Sequence, residues 1–347
     1  MTRLFERCRK VGDTTLQLPA FGMGTAHLGE LYSTVEESVA QEAFEAAWQS
    51  GVRYYDTAPW YGRGLAEHRV GGFLRTRARR DFQITTKVGR TLHRPAKPAT
   101  FDRTPWAGGL NFDVNFDYSY DGIMRSYEQA LQRLALDTVD ALVIHDLDSL
   151  FHGEQALAEH TQALSDSGMK ALEELKSSGD IQAVGMGINR KEQLMDLAQK
   201  VDLDFVLVAM PYTLIDQEAL HTGMKACLDR NISVIVGAPF ASGILATGSA
   251  GAAHYAYESA SNDIIDKVRG IERICAAHGI SLQAAALQFP LAHPAVSSII
   301  PGVANAREMN ANISSMDVSI PAQFWSDLKA EALLDADAPV PPVDEQS

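Results

Sequence analysis

Short apolar runs alternate with longer amphipathic stretches along most of the chain. The runs are Phe21–Ala26, Val52–Thr57, Phe82–Val88, Ala141–His145, Ile181–Ile188, Phe205–Met210, Ile232–Ala238 and Val296–Pro301. Several are apolar on both faces, as parallel strands covered by helices require. The stretches between them carry apolar residues at helical spacing: Val35–Ser50, closed by Gly51, then Gly122–Leu136, Met169–Ser178, Lys191–Lys200, Gln217–Arg230, Asp263–His278 and Asn305–Met316. Eight strands alternating with helices predict an α/β fold, a (β/α)8 TIM barrel, over residues 1–334 as one domain. The strand count and the even composition favour it over a doubly wound open sheet. Lys10–Leu18 predicts an N-terminal β-hairpin turning at Gly12-Asp13. Gly89–Tyr120, Asp146–Gly168 and Ala241–Asn262 exceed ordinary loop lengths. Each follows a strand, so each is expected on the C-terminal face, where long loops shape a site. Residues 335–347 are acidic and Pro-rich and are expected to be poorly ordered.

Composition narrows the function classes. The 347 residues are 46% hydrophobic and 21% charged, which supports a large core and excludes global disorder. Lys and Arg number 30 and Asp and Glu 44, a net charge of −14. Such a surface repels phosphate backbones, so no nucleic-acid partner is expected. The basic run Arg77–Arg80 reads as a solvated helix end. No stretch approaches the roughly 20 apolar residues of a membrane span, and the first residues lack the apolar core of a signal peptide. Cys8, Cys227 and Cys275 form no C-x-x-C pair, which suits a reducing compartment. The expectation is a soluble cytoplasmic protein with no membrane partner; the oligomeric state stays open.

In such a barrel the chemistry gathers at the C-terminal strand ends. Asp56 ends the second run, Lys87 the third and His145 the fourth, and Tyr61 follows Asp56 by five residues. Taken singly, each has a bland reading: a helix cap, a rim aromatic, a strand-end charge, a core imidazole. Together they meet at one mouth. A phenol is a poor proton carrier near neutrality, and a nearby ammonium lowers its pKa. Lys87 is expected to do this for Tyr61, with Asp56 holding Lys87 and His145 orienting a substrate oxygen. No side chain supplies a hydride, so a nicotinamide or flavin is implied.

These residues resemble the aldo-keto reductase superfamily, which places an Asp, Tyr, Lys and His tetrad on a (β/α)8 barrel. The resemblance rests on GMGTAHLG (Gly22–Gly29), GVRYYDTAPWYG (Gly51–Gly62), ITTKVG (Ile84–Gly89), LVIHD (Leu142–Asp146), APFASGILATG (Ala238–Gly248) and IIPGVANAREMNANI (Ile299–Ile313). DTAPWYGRGLAEHRVG, the long segment after KVGR and IHDLD are similar to the D-threo-aldose 1-dehydrogenase, L-fucose dehydrogenase and pyridoxal 4-dehydrogenase group. That resemblance implies oxidation of the hemiacetal carbon of an aldose to a lactone, with Tyr61 as general acid/base. Pyridoxal 4-dehydrogenation and general aldehyde reduction are the alternatives.

The resemblance also implies cofactor contacts from Gly24, Thr25, Asp56, Asn189, Pro239, Phe240, Ala241, Gly243, Ile244, Pro301, Gly302, Val303, Glu308 and Asn312. Positions where relatives that prefer NADP place cations are Gly302 and Glu308 here. NAD is therefore expected over NADP, with Arg307 as the residue that a one-place shift would put against a 2′-phosphate. Departures fall at the nicotinamide: Ala209 stands where the superfamily often has Gln, and Gly237 where it often has an aromatic. His27, Trp60, Trp106 and Asp146 are candidate substrate contacts. No metal is expected. A metal-dependent hydrolase using His145, Asp146 and Asp148 is a rival, weakened because His152 and His160 lie in a long segment. A nucleotide-holding subunit without turnover is a second rival.

Overall fold

The computed structural model describes residues 3–190, 193–194, 202–209, 212–250, 254–255, 258–259 and 260–342. The N-terminal hairpin pairs β1 (Cys8–Lys10) with β2 (Gln17–Pro19). There follow β3 (Met23–Gly24), β4 (Tyr54–Asp56), β5 (Gln83–Val88), β6 (Arg90–His93), β7 (Asp113–Phe116), β8 (Ala141–Ile144), β9 (Ala183–Ile188), β10 (Phe205–Val208), β11 (Ser233–Val236), β12 (His254–Tyr255), β13 (Glu258–Ser259) and β14 (Val296–Ile299). Eight of these form one parallel sheet in the order β3, β4, β5, β8, β9, β10, β11, β14. They match the eight apolar runs, each trimmed at one or both ends. Parallel bridges Phe21 to Ile299 and Gly24 to Gly302 join the first strand to the last, so the sheet returns on itself. A closed parallel sheet with helices outside is the arrangement of a (β/α)8 barrel.

Alternation along each strand sorts the residues. Leu142 and Ile144 of β8 pack outward with the helices, whereas Ala141 and Val143 join an inner cluster with Tyr54, Ala183, Phe205, Leu207, Ile235 and Ile300. Val11, Leu16 and Leu18 of the hairpin belong to that same inner cluster. Gly12 N–H donates to Ser233 Oγ at 2.9 Å, at the start of β11. The hairpin thus plugs the N-terminal end of the barrel. At Gly12, with φ 50°, a Cβ would stand 2.7 Å from the Asp204 carbonyl, so the turn approaches as closely as glycine permits.

The helices depart from expectation in several places. Asp146–Gly168 is only partly loop: a helix runs Glu154–Ala163 and continues through a π turn, Leu164–Gly168, into Met169–Ser178. Gln217–Arg230 contains a π turn and the short helix Lys225–Asp229 rather than one helix. Leu65–Leu74, Leu282–Gln288 and Ala322–Ala330 are further helices. The predicted helix Lys191–Lys200 and the end of the sixth run at Met210 fall largely outside the described residues, as does part of Ala241–Asn262.

Gly89–Tyr120 is an antiparallel arm of β6 and β7 carrying a long tip. Residues 335–342 lie against the body, with Ala338 buried and Lys329 Nζ donating to the Ala336 and Ala338 carbonyls at 2.9 and 2.7 Å. Residues 343–347 lie outside the described residues. No single helix among the described residues is long and apolar enough to cross a membrane.

Candidate active site

Period two places Thr85 and Lys87 of β5 toward the barrel axis and Ile84, Thr86 and Val88 away from it. Lys87 is the last inward residue of its strand, 1% exposed. Asp56 ends the neighbouring β4. Lys87 Nζ donates to Asp56 Oδ2 at 2.5 Å and to the Thr57 carbonyl at 2.9 Å. Thr85 Oγ1 donates to Asp56 Oδ1 at 2.7 Å. A lone ammonium this deep would shed its proton. Burial does push Lys87 down, but Asp56 and Tyr61 outweigh it, and its pKa ends above the ordinary lysine value.

Tyr61 opens a tight turn after β4. Gly62, Arg63 and Gly64 have φ of 62°, 54° and 98°. A Cβ on Gly62 would stand 2.4 Å from the Gly29 carbonyl, so glycine lets this turn close on the loop after β3. Lys87 Nζ lies 4.7 Å from the Tyr61 ring centroid, and its charge acts on the phenol. The ring meets the His145 imidazole edge-on at 5.9 Å. The structure therefore brings Asp56, Tyr61, Lys87 and His145 into one cluster.

The protonation of that cluster differs from expectation on one point. Burial raises the Tyr61 phenol above its ordinary value, and the Lys87 ammonium only partly offsets this while Asp56 opposes it. The expected net acidification is reversed: desolvation of a phenolate outweighs one adjacent cation that is already shared with a carboxylate. Burial, then Arg90 and Lys87, push His145 well below the ordinary imidazole value, so it is neutral at neutral pH.

The candidate substrate residues divide. Trp60 and Trp106 meet edge-on at 5.5 Å, and Trp106 lies 6.1 Å from the Tyr61 ring. Trp106 comes from the tip of the β6–β7 arm, is 4% exposed, and its indole Nε1 has no partner. Asp146, at φ 50°, is occupied by protein groups: the Arg90 guanidinium pairs with Oδ2, and Asn189 Nδ2 donates to Oδ1 at 3.2 Å. His27 lies on the other side, where its Nδ1 would stand 2.6 Å from a Cβ on Gly302 and Glu308 acts on its charge. His27 thus neighbours the residues expected to hold a cofactor.

Those residues form a continuous rim. Gly24 bonds to Pro301 and bridges Gly302 between the first and last strands. Thr25 Oγ1 donates to the Asp56 carbonyl at 2.9 Å. Ala241 and Gly243 have φ of 48° and 103° in the turn after β11, and a Cβ on Gly243 would meet nothing within 4 Å. That turn, with Pro239, Phe240 and Ile244, offers a backbone cradle with open space beside it. Asn305 caps the helix Ala306–Met316, and Glu308 lies in its first turn. Its carboxylate accepts from Ala304 N–H and Asn305 Nδ2 at 2.8 and 2.9 Å, and Asn305 Oδ1 accepts from Glu308 N–H at 3.0 Å. Asn312, on the same helix, is buried, as is Val303. His27 Nδ1, buried without a partner beside Gly302, is the orphaned atom a bound dinucleotide would be expected to explain. The rim fits a nicotinamide dinucleotide. Asn189, expected to contact the cofactor, bridges Asp146 and Asp148, donating to Asp148 Oδ2 at 2.7 Å. At Gly237 a Cβ would stand 2.9 Å from Leu207 Cδ2, so a larger side chain there would require Leu207 to shift. Ala209 is half-buried beside β10.

Sequence reasoning missed Arg90. It is 1% exposed and stacks on Trp60, Phe116 and Phe151 at 4.7, 4.6 and 4.7 Å. The signal was present in KVGR: an arginine one glycine beyond an inward strand-end lysine. His145, Asp146 and Asp148 do not form a metal ligand set; the group that converges among the described residues is His221, Asp335 and Asp337, away from the tetrad.

The aldo/keto reductase family profile matches residues 20–332. The chain is 37% identical over 334 residues to the pyridoxal 4-dehydrogenase of Microbacterium luteolum, covering 94% of this chain and 97% of that one. It is 35% identical over 331 residues to the D-threo-aldose 1-dehydrogenase of a Pseudomonas species, covering 92% and 95%. In fold it superposes on a holo-form aldo-keto reductase from Bacillus halodurans with a TM-score of 0.71 at 23% identity, over 98% and 99% of the two chains. The chain belongs to the aldo/keto reductase family, enzymes that use nicotinamide cofactors on small-molecule substrates.

Proposed function

We propose that this chain oxidises the hemiacetal carbon of an aldose of the L-fucose or D-threo type to its lactone, with NAD preferred over NADP. The observation that carries the reading is the Tyr61–Lys87–Asp56 cluster beside a neutral His145. A bound nicotinamide would take the hydride. The chain's own residues handle the proton. Tyr61 accepts it from the anomeric hydroxyl, and Lys87, held charged by Asp56, favours the phenolate that must form. His145 holds the substrate oxygen, and Trp60 and Trp106 offer flat faces to the ring. The NAD preference is supported by Glu308, whose carboxylate is fixed at the rim and would repel a 2′-phosphate. The barrel interpretation, with its long loops on the C-terminal face, is part of the same reading.

A second reading, pyridoxal 4-dehydrogenation, is favoured by the 37% identical relative. Pyridoxal also presents a cyclic hemiacetal, so one tetrad serves either substrate. A panel of L-fucose, D-arabinose, L- and D-galactose and pyridoxal, each with NAD and NADP, separates them. The aldose reading expects the highest kcat/KM with a sugar and NAD; faster turnover of pyridoxal replaces it with the second reading, and no turnover at all removes both. A cytoplasmic setting is proposed from the sparse, unpaired cysteines.

A further inference from the structure

The tip of the β6–β7 arm delivers Trp106 to the Tyr61 mouth, yet the tip has almost no core of its own. Among the described residues 94–112, only Pro95 and Trp106 are buried. A segment with so little buried apolar surface depends on its polar contacts for its place. Those contacts converge on the loop after β3. Glu30 Oε2 accepts from Gly109 N–H at 2.8 Å, and the Glu30 carbonyl accepts from Ala107 N–H at 2.9 Å. Leu31 bridges Trp106 in antiparallel fashion. Nearby, Leu110 N–H donates to the carbonyl of Gly62, the residue after Tyr61, at 2.9 Å. Glu30 is itself held. It is 8% exposed, and its Oε1 lies 3.3 Å from the Arg69 guanidinium. Arg69 also donates to the Leu28 and Val35 carbonyls, both at 2.7 Å, and stands on the helix Leu65–Leu74 that follows the Tyr61 turn. Glu30 adopts a left-handed backbone, φ 69°, which disfavours a residue with a Cβ. A disfavoured conformation and a buried charge thus meet at the contact that seats the arm, where Trp106 lies 6.1 Å from the Tyr61 ring and 5.5 Å from Trp60.

We propose that Glu30 is a positioning residue for the substrate: its carboxylate, paired with Arg69, seats the arm tip so that Trp106 stands as a wall of the Tyr61 mouth. The inference rests on the reading of Trp106 as a substrate contact, but the seating itself can be read without turnover. It assigns part of the substrate affinity to a residue of the loop after β3 that acts through the arm. Loss of the contact therefore weakens substrate binding first, while the Asp56–Lys87 pair and the cofactor rim stay as they are.

The test compares substrate KM, kcat and NAD affinity, the last by binding titration, with the solvent accessibility of Trp106. Accessibility is read as the difference in acrylamide quenching between each protein and its Trp106→Phe counterpart. Glu30→Gln alters the contact from the loop. Gly108→Ala alters it from the arm: its backbone lies outside the left-handed region, and the added Cβ would fall on Glu30 Oε2. Both should raise substrate KM on the order of tenfold, make Trp106 more accessible and leave NAD affinity near wild type. In a Trp106→Ala background neither should raise KM further. A merely structural role would instead lower kcat, NAD affinity and thermal midpoint together, with or without Trp106. Gly108→Ala keeps the test running should Glu30→Gln fail to fold. An unchanged substrate KM in Gly108→Ala, or a KM effect of full size that persists in Trp106→Ala, overturns the proposal. A wild type that turns over neither sugars nor pyridoxal removes the proposed reaction; Trp106 more accessible in both variants would still assign the seating to Glu30, and unchanged accessibility would overturn that as well.

Discussion

The two ends of this barrel are built from the same alternating strands and filled in opposite ways. At the N-terminal end the hairpin delivers Val11, Leu16 and Leu18 to an apolar plug, all at most 2% exposed. At the C-terminal end the inward positions carry Lys87, Asp56, Arg90 and Asp146, equally enclosed but charged. The plug removes apolar surface from water and gains from it directly. The charged end must offset desolvation, so Asp56 is paired with Lys87 and Asp146 with Arg90. One end therefore serves stability and the other chemistry, and substitutions should separate the two.

The largest effect is expected at Tyr61. Tyr61→Phe keeps the ring and its packing and removes the proton carrier. Turnover should fall by about 10²–10⁴-fold, the usual worth of general acid–base catalysis, while cofactor affinity and thermal midpoint stay near wild type. Undiminished turnover would take the phenol out of the reaction. Next comes Lys87→Met, which strands the Asp56 carboxylate in the interior. Both activity and fold should suffer, with a stability loss of about 3–5 kcal/mol by denaturant titration. Leu16→Ala probes the opposite end: about 2–5 kcal/mol of stability lost to the cavity, with kcat unchanged. A matching loss of kcat would break the division between the two ends. The smallest effect belongs to the rim. Glu308→Arg should shift the NADP to NAD ratio of kcat/KM toward NADP by about tenfold, roughly 1.4 kcal/mol; an unmoved ratio would confine Glu308 to its hydrogen bonds with Ala304 and Asn305.

The same contrast explains what the sequence made legible. The barrel strands could be read because each is a short apolar run whose pattern needs no partner to recognise. Asp56, Lys87 and His145 could be read because each ends such a run. Arg90 escaped because its burial depends on Trp60, Phe116 and Phe151, which come from three separate segments. Asp146 and Asn189 were assigned to ligands because only the folded chain shows that they hold each other. His27 reads from sequence as a substrate contact, and strand closure sets it beside Gly302. The phenol's direction of shift was misjudged for a related reason. Sequence shows that a cation is near, but the competing loss of water depends on depth, and depth is a tertiary property.

That last point gives the decisive measurement: the pH dependence of hydride transfer in the oxidation direction, taken in a single turnover with saturating cofactor. A phenol whose pKa is held up by burial is protonated at neutral pH and becomes a better proton acceptor only as pH rises. The wild-type rate should therefore climb through the alkaline range, and Tyr61→Phe should lose that climb. A wild-type rate that stays flat, or an alkaline rise that survives Tyr61→Phe, would contradict Tyr61 as the residue that takes the proton.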